Sequence, residues 1–275
     1  MRIIRNFLAL FIVILISASC SKFSKIEKSK DTDYKLTKAD EFYANKKYKY
    51  AQQLYEELFP SFKGSQKFED LYYKYAYCFY YDKQYKDAEN LFKGYLETFP
   101  NSPKAEEVDY MRSYCFYKES PKLELEQVNT VKAMNMMQSF INTHPGSSRI
   151  KDANDVIDKC RAKLELKDAR AAELYYNLTQ YRAAALAYTE LLNSYPESLK
   201  GEEYKLMVVK AYYKFAKMSY EIKQIERFEK VTTEYQDFVD RFPDSKLLKE
   251  AEDYSNLSKN HIKEIQNEQI TSSAK

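Results

Sequence analysis

The amino-acid sequence predicts an all-α chain built as a stack of about five helix pairs closed by a C-terminal capping helix. Three observations carry this expectation. A stripe with spacing four, three and four recurs five times: Ala51/Tyr55/Leu58/Phe62, Ala88/Phe92/Tyr95/Phe99, Ala133/Met137/Phe140/His144, Ala184/Tyr188/Leu191/Tyr195 and Val231/Tyr235/Phe238/Phe242. That spacing puts one small and three large residues on a single face of an α-helix. Each stripe runs into a stop, at Lys63-Gly64-Ser65, Pro100-Asn101-Ser102, Pro145-Gly146-Ser147, Pro196-Glu197-Ser198 and Pro243-Asp244-Ser245. Finally, only four glycines and seven prolines occur in 275 residues, and Val, Ile and Thr form no alternating run long enough for a strand.

At the N-terminus, Met1-Arg2-Ile3-Ile4-Arg5 is positive, Phe7 to Ile16 is apolar, and Ser17-Ala18-Ser19 is a run of small residues before Cys20. Ten apolar residues are too few to cross a bilayer as a helix, so residues 1–19 read as a removed secretory signal. Residues 20–33, rich in Lys and Ser, read as a flexible tether, with the repeat domain over 34–268 and order beginning near Tyr34. The first pair is predicted as Leu36 to Ala44 and Lys47 to Phe62, with a kink or fraying at Pro60 and a left-handed cap at Gly64.

At the later stops, proline pushes the preceding residue out of helical geometry and the serine two positions on is expected to N-cap the next helix. Pro103 is then expected in the first position of that helix. The stops lie 37, 45, 51 and 47 residues apart. A minimal two-helix repeat takes about 34 residues, so helices are lengthened or loops inserted. Ser120 to Glu126, with Pro121, interrupts the third repeat, and Arg149 to Leu178 reads as one long helix opening the fourth. Lys246 to about Gln266 reads as the capping helix, and residues 269–275 as a frayed tail.

Where two helices of a pair meet, Tyr43-x4-Tyr48-x2-Ala51, Tyr80-x4-Tyr85-x2-Ala88 and Tyr176-x4-Tyr181-x2-Ala184 share one spacing. This resembles the interhelix turn of tetratricopeptide repeats, and implies a right-handed tetratricopeptide-like helical solenoid. Burying a large apolar side chain contributes about 1.5–3 kcal/mol, and folding needs that from the stripe, so the stripe is assigned to core. Binding residues are expected on the first helix of each pair, which in such repeats lines the concave face. The stretch Lys67 to Tyr81 crowds Tyr72, Tyr73, Tyr75, Tyr77 and Tyr80 onto one helix, and Asp109, Tyr110 and Arg112 follow one repeat later. Tyr72, Tyr75, Asp109 and Arg112 are the candidate peptide-binding residues.

The charge balance excludes other classes of function. Forty-four Lys and Arg against forty-one Asp and Glu leave +3, with Arg2 and Arg5 in the removed segment, so the near-neutral mature chain lacks the clustered positive field that nucleic acid requires. Cys78, Cys115 and Cys160 show no C-x-x-C spacing, so neither a disulfide framework nor a metal site is expected. Cys78 and Cys115 are 37 residues apart, the local repeat period, and read as equivalent buried positions, with a bridge between them only if the neighbouring helices come within disulfide reach. His144 fills an aromatic stripe position and His261 lies on the charged last helix, neither with a catalytic partner at recognisable spacing. No catalytic motif and no glycine-rich phosphate loop occurs, so no enzyme activity and no cofactor are expected.

The small-residue run ending at Cys20 resembles a bacterial lipoprotein box, which implies acylation of Cys20 and a multi-chain membrane anchor. Together with the tether and repeats, it resembles the BamD family of outer-membrane assembly lipoproteins. The segments that carry the likeness run from Ser61 to Tyr117, including Tyr110-Met111-Arg112, and from Phe140 to the Ala-Glu-Leu-Tyr-Tyr ending at Tyr176. The resemblance implies a lipid-anchored, periplasm-facing scaffold at the outer membrane. Its implied partners are a POTRA-containing barrel assembly protein and unfolded outer-membrane β-barrel proteins. A general tetratricopeptide adaptor of the cell envelope shares every repeat feature. A glycan-capturing lipoprotein is the third reading, and would be expected to expose Trp, of which this chain has none.

Overall fold

The structure, a computed structural model, describes residues 23–273; the signal segment and Cys20 lie outside them. Among the described residues there are twelve helices and no strand, an all-α architecture of successive antiparallel-packed helix pairs. A short α1 (residues 23–27) precedes five pairs: α2 (Thr32–Ala44) with α3 (Tyr48–Phe62), α4 (Phe68–Tyr81) with α5 (Tyr85–Thr98), α6 (Ala105–Lys118) with α7 (Val128–Thr143), α8 (Ile150–Asn177) with α9 (Tyr181–Ser194), and α10 (Gly201–Lys217) with α11 (Glu221–Arg241). The capping helix is α12 (Leu248–Ser273). The chain forms two compact units divided inside α8, one running to Cys160 and one starting at Arg161.

The stripe forms the core. Ala51, Tyr55, Ala88, Phe92, Tyr95, Ala133, Met137, Ala184, Val231 and Phe238 are fully buried, and the large members are among the biggest buried side chains. Cys78 and Cys115 each occupy the eleventh position of their helix and are buried free thiols, and burial pushes both thiol pKa values up.

The Tyr-x4-Tyr signature marks one recurring turn. Lys46, Lys83 and Thr179 take left-handed φ of 58°, 64° and 60°. In each turn the amide one residue further on bonds back to the helix, from Lys47 to Phe42, Gln84 to Phe79 and Gln180 to Tyr175. This is the Schellman closure, and the flanking aromatic rings pack across it, Tyr43 on Tyr48 at 5.8 Å, Tyr80 on Tyr85 at 5.6 Å and Tyr176 on Tyr181 at 5.2 Å.

Several expectations are corrected in detail. Ser102, Ser147, Ser198 and Ser245 accept the amide of the residue two positions on, a short turn before the helix, so α6 starts at Ala105 and Pro103 lies ahead of it, outside the first helical position. Gly64 has φ +84° as expected, and α3 continues past Pro60 to Phe62. The long helix expected from Arg149 to Leu178 is α8, and the 120–126 insertion joins α6 to α7. Two segments expected to be loose are helical instead. The tether contains α1, whose Phe23 ring lies 4.7 Å from Tyr50 and 5.8 Å from Phe42, because the outer edge of the first pair offers apolar surface on which Phe23 and Ile26 pack. The polar tail continues α12 to Ser273, beyond Ile265, the last of its described side chains to be buried, among Val209, Tyr213 and Phe228.

Candidate partner-binding surfaces

The structure engages each of the four sequence-predicted residues with the fold itself. Tyr72 is half-buried, its ring 5.1 Å from Phe59 and 5.9 Å from both Phe68 and Tyr95. Its phenol is pushed up, by burial first and by Glu97 second. Tyr75 is 8% exposed between Phe59 and Phe79, and burial, reinforced by Glu56, raises its phenol to about 12. Asp109 lies 3.1 Å from His144 Nε2, which ties α6 to the end of α7. Arg112 donates through Nε to Glu89 at 2.9 Å, with both side chains largely covered.

The crowding of tyrosines on α4 is therefore mostly packing. Tyr77 is 4% exposed and donates its hydroxyl to Glu107 at 2.8 Å, while the Tyr73 ring packs against it, tilted, with centroids 4.6 Å apart. A helix lying between two neighbours buries two faces, which accommodates more rings than a single stripe would.

A different surface in the second unit is open and built from three helices. A groove of about 590 Å³ is lined by Arg182 and Leu186 of α9, Tyr212 and Phe215 of α10, and Lys223, Glu226, Arg227, Glu229, Lys230 and Thr233 of α11. It continues into an apolar recess of about 450 Å³ at the α8–α9 turn, which shares Arg182, Leu186 and Phe215. The Arg227 guanidinium stands 4.1 Å over the Phe215 ring and also donates to the Ser219 hydroxyl. Lys230 sits 5.6 Å over Tyr212 while pairing with Glu234 at 2.7 Å. Rings and cations are thus held together at the surface, an arrangement whose attraction strengthens when a partner displaces water.

Leu186 is 53% exposed, and the α10–α11 corner beside Lys223 exposes Met218, Tyr220 and Ile222 by 68%, 87% and 86%. Clustered exposure of large apolar side chains marks an interaction surface. Four cations against two carboxylates make the groove net positive, suited to a segment that is both apolar and acidic. Sequence reasoning missed this groove by searching only the first helix of each pair. Leu186 gives a legible signal, as a leucine lying off the Ala184/Tyr188/Leu191 stripe.

Among the described residues no group of His, Cys, Asp and Glu is placed to hold a metal ion, and no helix is long and apolar enough to cross a membrane. The family model described as YfiO, outer membrane lipoprotein, matches residues 28–204. No curated protein matches the chain. Similar solved structures include the TPR2AB-domain:pHSP90 complex of yeast Sti1, 13% identical with a TM-score of 0.42, over 83% of this chain and 98% of that one. Another, from the computational design of self-assembling cyclic protein homooligomers, is 15% identical with a TM-score of 0.22, over 96% and 95% of the two chains.

Proposed function

The chain belongs to the YfiO family of outer membrane lipoproteins, and from that premise we propose that it is a non-catalytic, periplasm-facing scaffold of the outer-membrane β-barrel assembly machine, anchored by acylated Cys20. The observation that carries this reading is the groove of the second unit, where Leu186, Phe215 and Tyr212 are presented with Arg182, Arg227 and Lys230 on three packed helices. Rigid aromatic and arginine anchors are the residue types that dominate protein–protein binding energy. In this proposal the groove docks the POTRA domains of the assembly protein.

The first unit takes the C-terminal strand of an unfolded barrel substrate. Tyr72 supplies the outer edge of the aromatic cluster, and Tyr75 acts from beneath by setting Phe59 and Phe79. Arg112 meets a terminal carboxylate by exchanging it for Glu89, and Asp109 holds α7 in place through His144.

Photocrosslinkers placed at Leu186, Phe215, Tyr72 and Arg112 of the full lipidated chain in membranes test the assignment. The first two are expected to capture the POTRA-containing protein, and the last two a barrel C-terminal peptide. Capture of cell-wall or secretion components at Leu186 and Phe215 would instead establish the general adaptor, and capture of no POTRA protein at either groove position would refute the docking assignment.

A further inference from the structure

A second pocket, of about 400 Å³, lies where α1 closes on the first helix pair. Its rings are Phe23, Tyr34, Phe42 and Tyr50, and its charged groups are Lys25, Lys38 and Lys47 against the single carboxylate Glu41. Lys38 pairs with Glu41 at 2.7 Å, whereas Lys25 and Lys47 make no ion pair among the described residues, although Lys47 stands 5.9 Å over the Phe42 ring. The pocket therefore offers two uncompensated ammonium groups beside an aromatic wall. An anion carried on an apolar root satisfies both features.

Sequence distance supplies the location. Phe23 is three residues beyond Cys20, and three extended residues reach about 10–11 Å. On the reading that Cys20 is acylated, its chains enter the bilayer within that distance of the docked Phe23 ring. Aromatic rings and lysines are the side chains that favour the headgroup layer. Because α1 is packed on α2 and α3 through Phe23, the tether does not let the first pair drift away from the membrane.

We propose that this pocket binds the phosphate headgroup of an anionic phospholipid in the leaflet that holds the lipid anchor, seating the first helix pair on the membrane surface. The glycerol and acyl root lies along Phe23 and Tyr50, and the phosphate is met by Lys25 and Lys47, with Lys38 behind them.

The test uses the full mature chain carrying Cys20→Ser, so that binding is read without the anchor. Flotation with phosphatidylglycerol-containing vesicles is expected to recover the chain, and with neutral phosphatidylcholine vesicles to leave it behind. Each lysine near such a surface is worth about five-fold in partitioning, so the K25Q/K38Q/K47Q variant is expected to bind about a hundred-fold more weakly. A control variant, K246Q/K249Q/K259Q, removes three exposed lysines of the second unit and is expected to bind like the parent. Equal losses in the two variants, failure of the parent to bind anionic vesicles, or binding of inorganic phosphate alone would each overturn the proposal. The mass of the chain recovered from outer membranes reports the anchor separately: an unmodified Cys20 beside intact vesicle binding refutes the acylation reading and leaves the pocket standing.

Discussion

Ser102 donates its hydroxyl hydrogen to Glu69, 33 residues upstream on the first helix of its own pair, at 2.7 Å. The same latch recurs from Ser147 to Glu106 at 2.5 Å, from Ser198 to Glu165 at 2.5 Å, and from Ser245 to Glu202. Each serine also receives the amide two residues on, so one hydroxyl both shapes the stop and fastens it to the helix that opened the pair. Tyr95 adds its hydroxyl to Glu69, and Tyr204 adds its own to Glu165, both from within the core.

Glu165 accepts two hydroxyls, at 2.5 Å from Ser198 and 2.8 Å from Tyr204, so its loss is felt twice. Hydrogen bonds to a charged acceptor contribute about 1.5–3 kcal/mol each, and partial solvent access lowers that here. Glu165→Ala is expected to destabilise the second unit by about 2 kcal/mol in urea titration, and Glu165→Gln, which keeps an acceptor, by about half as much. Unchanged unfolding in the alanine variant would show that the latch only accompanies packing.

Lys205 is 3% exposed and bonded to Glu234 and Asp237, each at 2.5 Å. Removing one partner of a buried pair costs about 3–5 kcal/mol, and Asp237, which remains, brings Glu234→Leu to about 3 kcal/mol. Lys205→Met, which removes the buried cation itself, is expected to cost less, as thermal unfolding will show.

The same cluster predicts an acid-sensitive second unit. Burial pushes the Glu234 carboxyl up, but Lys205 and Lys230 outweigh it and hold the group below the ordinary glutamate value. Asp237 is likewise held low by Lys205 and Arg241 against burial. The unfolded chain therefore binds more protons near pH 4, so this stabilisation is complete above the unfolded carboxylate values of about 4 and is lost as pH falls through the lower folded ones. Urea midpoints are expected to drop between pH 5 and pH 3, and to drop less in Lys205→Met.

Gly94 lies where a Cβ would stand against the Tyr72 hydroxyl. Gly94→Ala gains about 1 kcal/mol of helix propensity but must displace a half-buried ring, a strain of about 1–3 kcal/mol, so a net loss is expected. In a Tyr72→Phe background the clash disappears and the same substitution is expected to stabilise. A stabilising Gly94→Ala in the parent chain would show that Tyr72 moves freely.

Thr179 is a β-branched residue at φ 60° in the α8–α9 turn, where left-handed backbone costs about 1–2 kcal/mol. Thr179→Asn is expected to raise stability by about 0.5–1 kcal/mol in urea titration, while Thr179→Val is expected to lower it or leave it unchanged.

How much was legible in the sequence follows from how local each signal is. The five stripes, the left-handed Gly64, the long α8 and the paired positions of Cys78 and Cys115 all rest on spacings within one helix or one repeat, and the structure bears them out. The partners of Tyr72, Asp109 and Arg112 were not legible. Whether a tyrosine at a given helical position faces a neighbour or solvent depends on residues more than twenty positions away, such as Glu89 for Arg112 and His144 for Asp109.

By itself, then, the sequence determined an all-helical chain, its pairings and which face of the second helix of each pair is buried, because a periodicity of 3.6 is imposed by one backbone geometry. Tertiary structure alone decided the rest. It folded α1 back onto Tyr50, bridged four of the five pairs with a serine and a glutamate 33 to 43 residues apart, and opened the groove among Leu186, Phe215 and Arg227. Those surfaces are composed of residues from separate helices, and only the distances between packed helices say which of them meet.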